Sequence, residues 1–164
     1  MQMRYILCII CKLVCIFKIA FNTNSILTLN AQINGTLSVS GLVTLQETTE
    51  VFNTKTSATG TVIHDFSTGS IWYHSSISNN FTASFTNVPL TNNRTIVCKL
   101  ILVQGATARI PNAVQIGGNA QTIKWLGSAS APAGNANKVD IVTFTLIRTG
   151  NYWTQVLGSL TTYG

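Results

Sequence analysis

The chain predicts an all-β protein: an N-terminal extended β shaft, then a C-terminal β-sandwich or jelly-roll-like head, with a short apolar helix in front. Three observations carry that expectation. Between Leu27 and Leu45 every odd position is apolar or glycine, and every even position except Leu42 is polar. Ser, Thr and Asn crowd the chain beyond Asn22, among Val, Ile and aromatic residues, a mixture that favours strands joined by turns. After Phe21 no helical periodicity competes, and short strand-like runs follow one another to the C-terminus.

Residues 1–21, MQMRYILCIICKLVCIFKIAF, form an apolar leader. Lys12 and Lys18 interrupt it, and a lysine near the bilayer centre costs about 2.5–3.5 kcal/mol, so a stable span is marginal. A basic start and apolar run suit a signal or anchor, yet no A-x-A-like cleavage site follows promptly. A start codon placed too far upstream explains the same segment. Cys8, Cys11 and Cys15 lie here at helical spacing, without the second pair that a zinc site needs.

Residues 22–59 are read as the shaft and its linker. Strict period two buries one face of a strand, and this run would extend roughly 60 Å at about 3.3 Å per residue. A domain of this size offers no matching partner, so the stripe Leu27, Leu29, Ile33, Leu37, Val39, Val43 and Leu45 is assigned to an interface between copies of the chain. Gly35 and Gly41, six apart on the apolar face, mark bends or close backbone approach. Residues 53–59, NTKTSAT, read as a linker.

Residues 60–164 read as the head. Strands are expected over 61–66, 70–75, 81–86, 95–104, 113–116, 121–126, 139–148 and 152–157, spaced as in a sandwich or jelly roll. The runs 95–104 and 139–148 are apolar on both faces, which places them centrally between layers. Thr149-Gly150-Asn151 predicts a tight hairpin into Tyr152 and Trp153. Cys98 shares parity with Ile96, Leu100 and Leu102 and reads as a small buried hydrophobe.

Composition narrows the function classes. The net charge of +6 includes Arg4, Lys12 and Lys18 in the leader, and the remaining basic residues are scattered singly, so no nucleic-acid partner is indicated. Only four acids occur, Glu47, Glu50, Asp65 and Asp140, which counts against general acid–base catalysis. His64 and His74 lie ten residues apart near Asp65, but the sequence supplies no further ligand for a metal, and polar surface or hydrogen-bonded strand histidines are the favoured reading. Ser75 and Ser76 beside His74 lack a nucleophile-elbow context. The reading is non-catalytic, with no cofactor and no metal. Trp72, Tyr73, Trp125, Tyr152 and Trp153 are the candidate ligand contacts, because aromatic faces rimmed by Asn, Gln and Thr suit sugar rings. The competing reading places these rings in the core. Asn34-Gly-Thr36, Asn80-Phe-Thr82 and Asn93-Arg-Thr95 match the glycosylation pattern, as expected by chance in such a composition.

The stretch TLQETTEVFNTKTSATGTVIHDFSTGSIWYHSSISNNFTASFTNVP resembles a module of tail-fibre-like structural proteins from marine tailed bacteriophages. IPNAVQIGGNAQTIKW and DIVTFTLIRTGNYWTQVLGSLTTYG look like its continuation, so the likeness runs from about residue 26 to the end. The resemblance implies a virion component, a tail fibre segment that is a homotrimer with a β-rich head, contacting other virion proteins and a host surface glycan or receptor. It brings no active-site residues. Residues 1–21 and the Cys98-Lys99 pair depart from the pattern, and the leader gains a third reading as a virion-attachment segment. A secreted or cell-surface bacterial adhesin or carbohydrate-binding module is the alternative, with residues 1–21 used for export.

Overall fold

The structure, a computed structural model, describes residues 40–44, 46 and 48–164. The chain divides into two units, Met1–Thr44 and Leu45–Gly164. Ser40–Thr44 of the first unit are irregular, exposed backbone, with Val43 46% exposed. The leader helix and the stripe positions Leu27, Leu29, Ile33, Leu37, Val39 and Leu45 lie outside the described residues.

The second unit is all-β. Its strands are β1 (Phe52–Thr56), β2 (Gly60–Asp65), β3 (Ile71–Ser75), β4 (Phe81–Thr86), β5 (Arg94–Val103), β6 (Pro111–Ile116), β7 (Asn119–Gln121), β8 (Ile123–Trp125), β9 (Val139–Thr149) and β10 (Tyr152–Tyr163). They form two sheets, one ordered β1-β3-β5-β9-β10-β8 and the other β2-β4-β6-β7. From β1 to β6 the chain changes sheet at every connection. Each return lands beside the preceding strand of that sheet and parallel to it, as β3 does beside β1 and β4 beside β2. β5 and β6 extend the same two stacks in parallel. The order then changes: β7 folds back antiparallel on β6, β9 lies antiparallel between β5 and β10, and β8 closes the far edge parallel to β10.

This connectivity departs from a jelly roll, whose strands run antiparallel throughout. The physical reason lies at the corners. The residue directly after β1, β3 and β4 takes a left-handed conformation: Ser57 (φ 53°), Ser76 (φ 51°) and Asn87 (φ 51°). One such residue swings the chain out of its sheet, so the next strand forms in the opposite layer rather than as a hairpin partner. The corners also stack. Ser57 N donates to Ser75 O at 3.2 Å, and Ala58 O accepts from Ser78 N and Asn79 N at 3.0 and 3.2 Å. The stretch read as a linker is therefore β1 and its corner.

Between the sheets lies one core. Trp72, Leu100, Leu102, Val142, Phe144 and Leu146 point inward from the larger sheet, facing Phe81, Ala83, Phe85 and Val114 of the smaller one. Phe85 meets Phe144 edge-on at 5.9 Å, across the two layers. Full burial of each large side chain contributes about 1.5–3 kcal/mol. The runs 95–104 and 139–148 became β5 and β9, neighbours in the middle of the larger sheet. Cys98 is buried as a free thiol, and burial raises its pKa far above the usual thiol range.

Candidate functional site

Strand parity dictates where the sequence candidates go. In β3, Trp72 and His74 share the inward face, and both are fully buried. Trp125 on β8 is 8% exposed and stacks over Gly158, whose missing side chain makes room for the indole. Both tryptophans pack in the core; full burial withdraws Trp72 from ligand contact, whereas Trp125 still lines two surface grooves. Tyr73 points to the outward face of the larger sheet, half-buried beside Phe52 at 5.8 Å. Tyr152 stands at the hairpin tip, 76% exposed. Trp153 is half-buried at the edge of a groove.

That groove, about 500 Å3, is lined by Asn87, Leu90, Asn119, Arg148, Asn151 and Trp153. The hairpin creates it. Gly150 (φ 59°) supplies the positive φ that a two-residue hairpin loop needs, which pairs Arg148 opposite Trp153. The register shifts between Trp153 and Gln155, a bulge that re-aims the strand beside the groove. The Arg148 guanidinium sits 5.4 Å from the Trp153 ring centroid. Its Nε donates to Leu90 O at 3.1 Å and to Asn92 Oδ1 at 3.3 Å. Asn92 in turn donates to Asn151 Oδ1 at 3.1 Å. Arg148 is thus pinned by a carbonyl and an amide, so its charge is not cancelled by these partners. A larger groove of about 680 Å3 runs along Asn80, Ala106–Ala108 and Ser130–Gly134, but it offers no aromatic face. The Arg148–Trp153 groove alone combines a flat ring, a fixed cation and several amides among these two. Such a set suits a polar, ring-shaped ligand of neutral or acidic character.

The sequence singled out Trp153 but not Arg148 or the asparagines around it. The signal was present: a two-residue loop at Gly150-Asn151 places position 148 across from position 153.

The histidine pair is the second cluster. β2 and β3 lie in opposite sheets, and their side chains meet in the core, with His64 Nε2 3.0 Å from His74 Nε2. One ring donates and the other accepts, and because burial disfavours the charged form the two are neutral, in complementary tautomers. Trp72 meets His64 edge-on at 5.0 Å, and Phe81 stacks on His74 at 5.1 Å. Both Nδ1 atoms are buried without a hydrogen-bond partner. Burial, helped by the charges of His74 and Lys55, lowers the His64 pKa to about 3. Burial and Lys55 lower that of His74 to about 4. Asp65, between them in sequence, projects from the other face and caps a 3-10 turn at Phe66–Thr68, accepting from Ser67 N at 2.8 Å and Asn87 Nδ2 at 2.9 Å. No group of three or more His, Cys, Asp or Glu side chains gathers among the described residues.

Asp140, another of the four acids, is buried at the base of the loop following residue 130. It accepts from Gln104 Nε2 (2.9 Å), Asn135 N (2.8 Å) and Thr162 Oγ1 (2.7 Å). Burial alone would raise its pKa, but these hydrogen bonds outweigh it and leave the carboxyl below its ordinary value. Asp65 and Asp140 are each engaged in separate local networks. No family model, curated protein or solved structure matches the chain.

Proposed function

We propose that this chain is a structural, non-catalytic component of a phage virion, a tail-fibre-like distal segment that attaches to a host surface through the Arg148–Trp153 groove. The observation that carries the reading is the groove itself: a half-buried indole, a pinned guanidinium and amides gathered beside the β9–β10 hairpin. A tail-fibre likeness in residues 26–164 supplies the virion context, and the alternating stripe before β1 supplies the expected homotrimer. Three weak sites on one trimer gain avidity from effective concentration, so each groove needs only modest affinity. The ligand class is a host surface glycan, with acidic sugars preferred because Arg148 carries uncancelled charge.

Glycan-array and calorimetric binding of the full chain tests this. Trp153→Ala, with an unchanged circular dichroism spectrum, is expected to weaken glycan binding about tenfold or more, the loss of one stacked ring. Binding that is undiminished in that variant overturns the site. The apolar leader favours a second reading, a cell-surface adhesin or carbohydrate-binding module exported by residues 1–21. Antibody labelling under the electron microscope separates them: decoration of virions supports the first, decoration of cell envelopes the second.

A further inference from the structure

β5 and β9 are apolar on both faces, and strands of that composition are normally covered on both sides. Their inward residues pack against the smaller sheet. The outward residues form continuous cross-strand rows instead. Tyr73 of β3 pairs with Ile101 of β5, and Ile101 with Ile141 of β9. The adjoining row sets Val103 beside Val139, and Ile71 flanks the first row on β3. All six are only partly buried. The outward face of the smaller sheet is more polar: Thr61, Thr82, Ser84, Thr86 and Gln115 dominate it, with Ile63 the large apolar side chain among them. The apolar side chains of the two outward faces are therefore concentrated on the larger sheet, where they alternate with Lys99, Thr143, Ser159 and Thr161.

The size and charge of the apolar face identify its occupant. With strands about 4.8 Å apart and a two-residue repeat near 6.8 Å, three to four rows across four strands span on the order of 500 Å2 in plan. Side-chain relief brings the accessible area toward the roughly 800 Å2 per partner that a stable protein interface uses. Lys99 is the one charged side chain within those rows, and it is exposed, so its stem can lie on the face with its charge at the rim. A covering surface must then be flat, β-branched and nearly uncharged. The same face on another copy meets each requirement.

We propose that the outward face of the larger sheet is an interface between copies of this chain, centred on Tyr73, Ile101 and Ile141. The interface is distinct from the N-terminal stripe, and it stands whether or not the attachment reading holds. Light scattering combined with hydroxyl-radical labelling of the full chain tests it. The expected result is a mass of two or more chains, with Tyr73 and Tyr163 protected. The Ile101→Glu/Ile141→Glu variant should raise labelling of both tyrosines by about threefold or more while Tyr152 at the hairpin tip stays unchanged. Thr143→Lys, at an already polar position of the same face, provides a second variant that keeps the core intact and should act in the same direction. A protected face in a monomer means that the chain's own residues 1–39 cover it, which overturns the proposal. So does an assembly in which Tyr73 labels as in the variants, since association then lies elsewhere. Either outcome leaves the glycan measurement on Trp153 unaffected, so the two readings fail separately.

Discussion

At the scale of single residues, the His64–His74 pair makes the fold sensitive to acid. In the unfolded chain both imidazoles titrate near 6.5, whereas in the folded chain they do so at about 3 and about 4. Below pH 6.5 the unfolded state therefore binds more protons, so stability is intact above that pH and falls as pH drops toward 4. At about 1.4 kcal/mol per pH unit for each fully coupled group, the loss by pH 4.5 is on the order of 3–5 kcal/mol. Thermal unfolding should show Tm falling by about 10–20 °C between pH 7 and 4.5. Asp65 and Asp140 have lowered values, so their contributions disappear only below about pH 4, outside this window. The His64→Leu/His74→Leu double variant should flatten the profile above pH 4.5. His64→Leu alone should cost about 1–3 kcal/mol at pH 7, because it leaves the Nε2 of His74 buried and unpaired. A wild-type Tm that does not move between pH 7 and 4.5 contradicts the buried neutral pair.

At the scale of elements, Gly158 explains both a packing feature and a limit of sequence reading. A Cβ at this position would lie 2.8 and 2.9 Å from the Trp125 ring, and 3.0 Å from Ile123 Cγ2. Gly158→Ala should therefore displace the indole and destabilise the fold by about 1–3 kcal/mol, read as a lower denaturant midpoint with altered tryptophan fluorescence. The expected strand stopped at Leu157, whereas β10 continues to Tyr163. β1 was missed for a different reason. It is an edge strand with no fully buried residue, so FNTKT carries no apolar alternation to read. β4 over 81–86 was legible because Phe81, Ala83 and Phe85 alternate with Thr82, Ser84 and Thr86, a period of two in the sequence itself. The sheet order was not legible, since it depends on the left-handed corners at Ser57, Ser76 and Asn87, residues that fit ordinary turns equally well. The aromatic candidates divided by parity in the same way: Trp72 faces inward and Tyr73 outward, which follows only once β3 and its packed side are known.

At the scale of the whole β unit, these features predict an order of opening. β1 and β2 are the outermost strands of their sheets at the same end of the stack, each paired on one side only. β1 has no buried residue, and in β2 the fully buried side chain is His64. β5, β9 and β10 are longer, and each is paired on both sides. Local unfolding starts where few apolar contacts hold a strand, so amide exchange at pH 7 should be fastest in β1, intermediate in β3 and slowest in β5 and β9. The histidine pair sits where β2 and β3 face each other across the core, so its protonation acts first on this end. At pH 4.5, after correction for the intrinsic pH dependence of exchange, β1–β3 should lose protection while β5, β9 and β10 retain theirs. His64→Leu/His74→Leu should keep the outer strands protected at that pH. Uniform loss across both ends would instead mean that the unit opens in one cooperative step, with no weaker end.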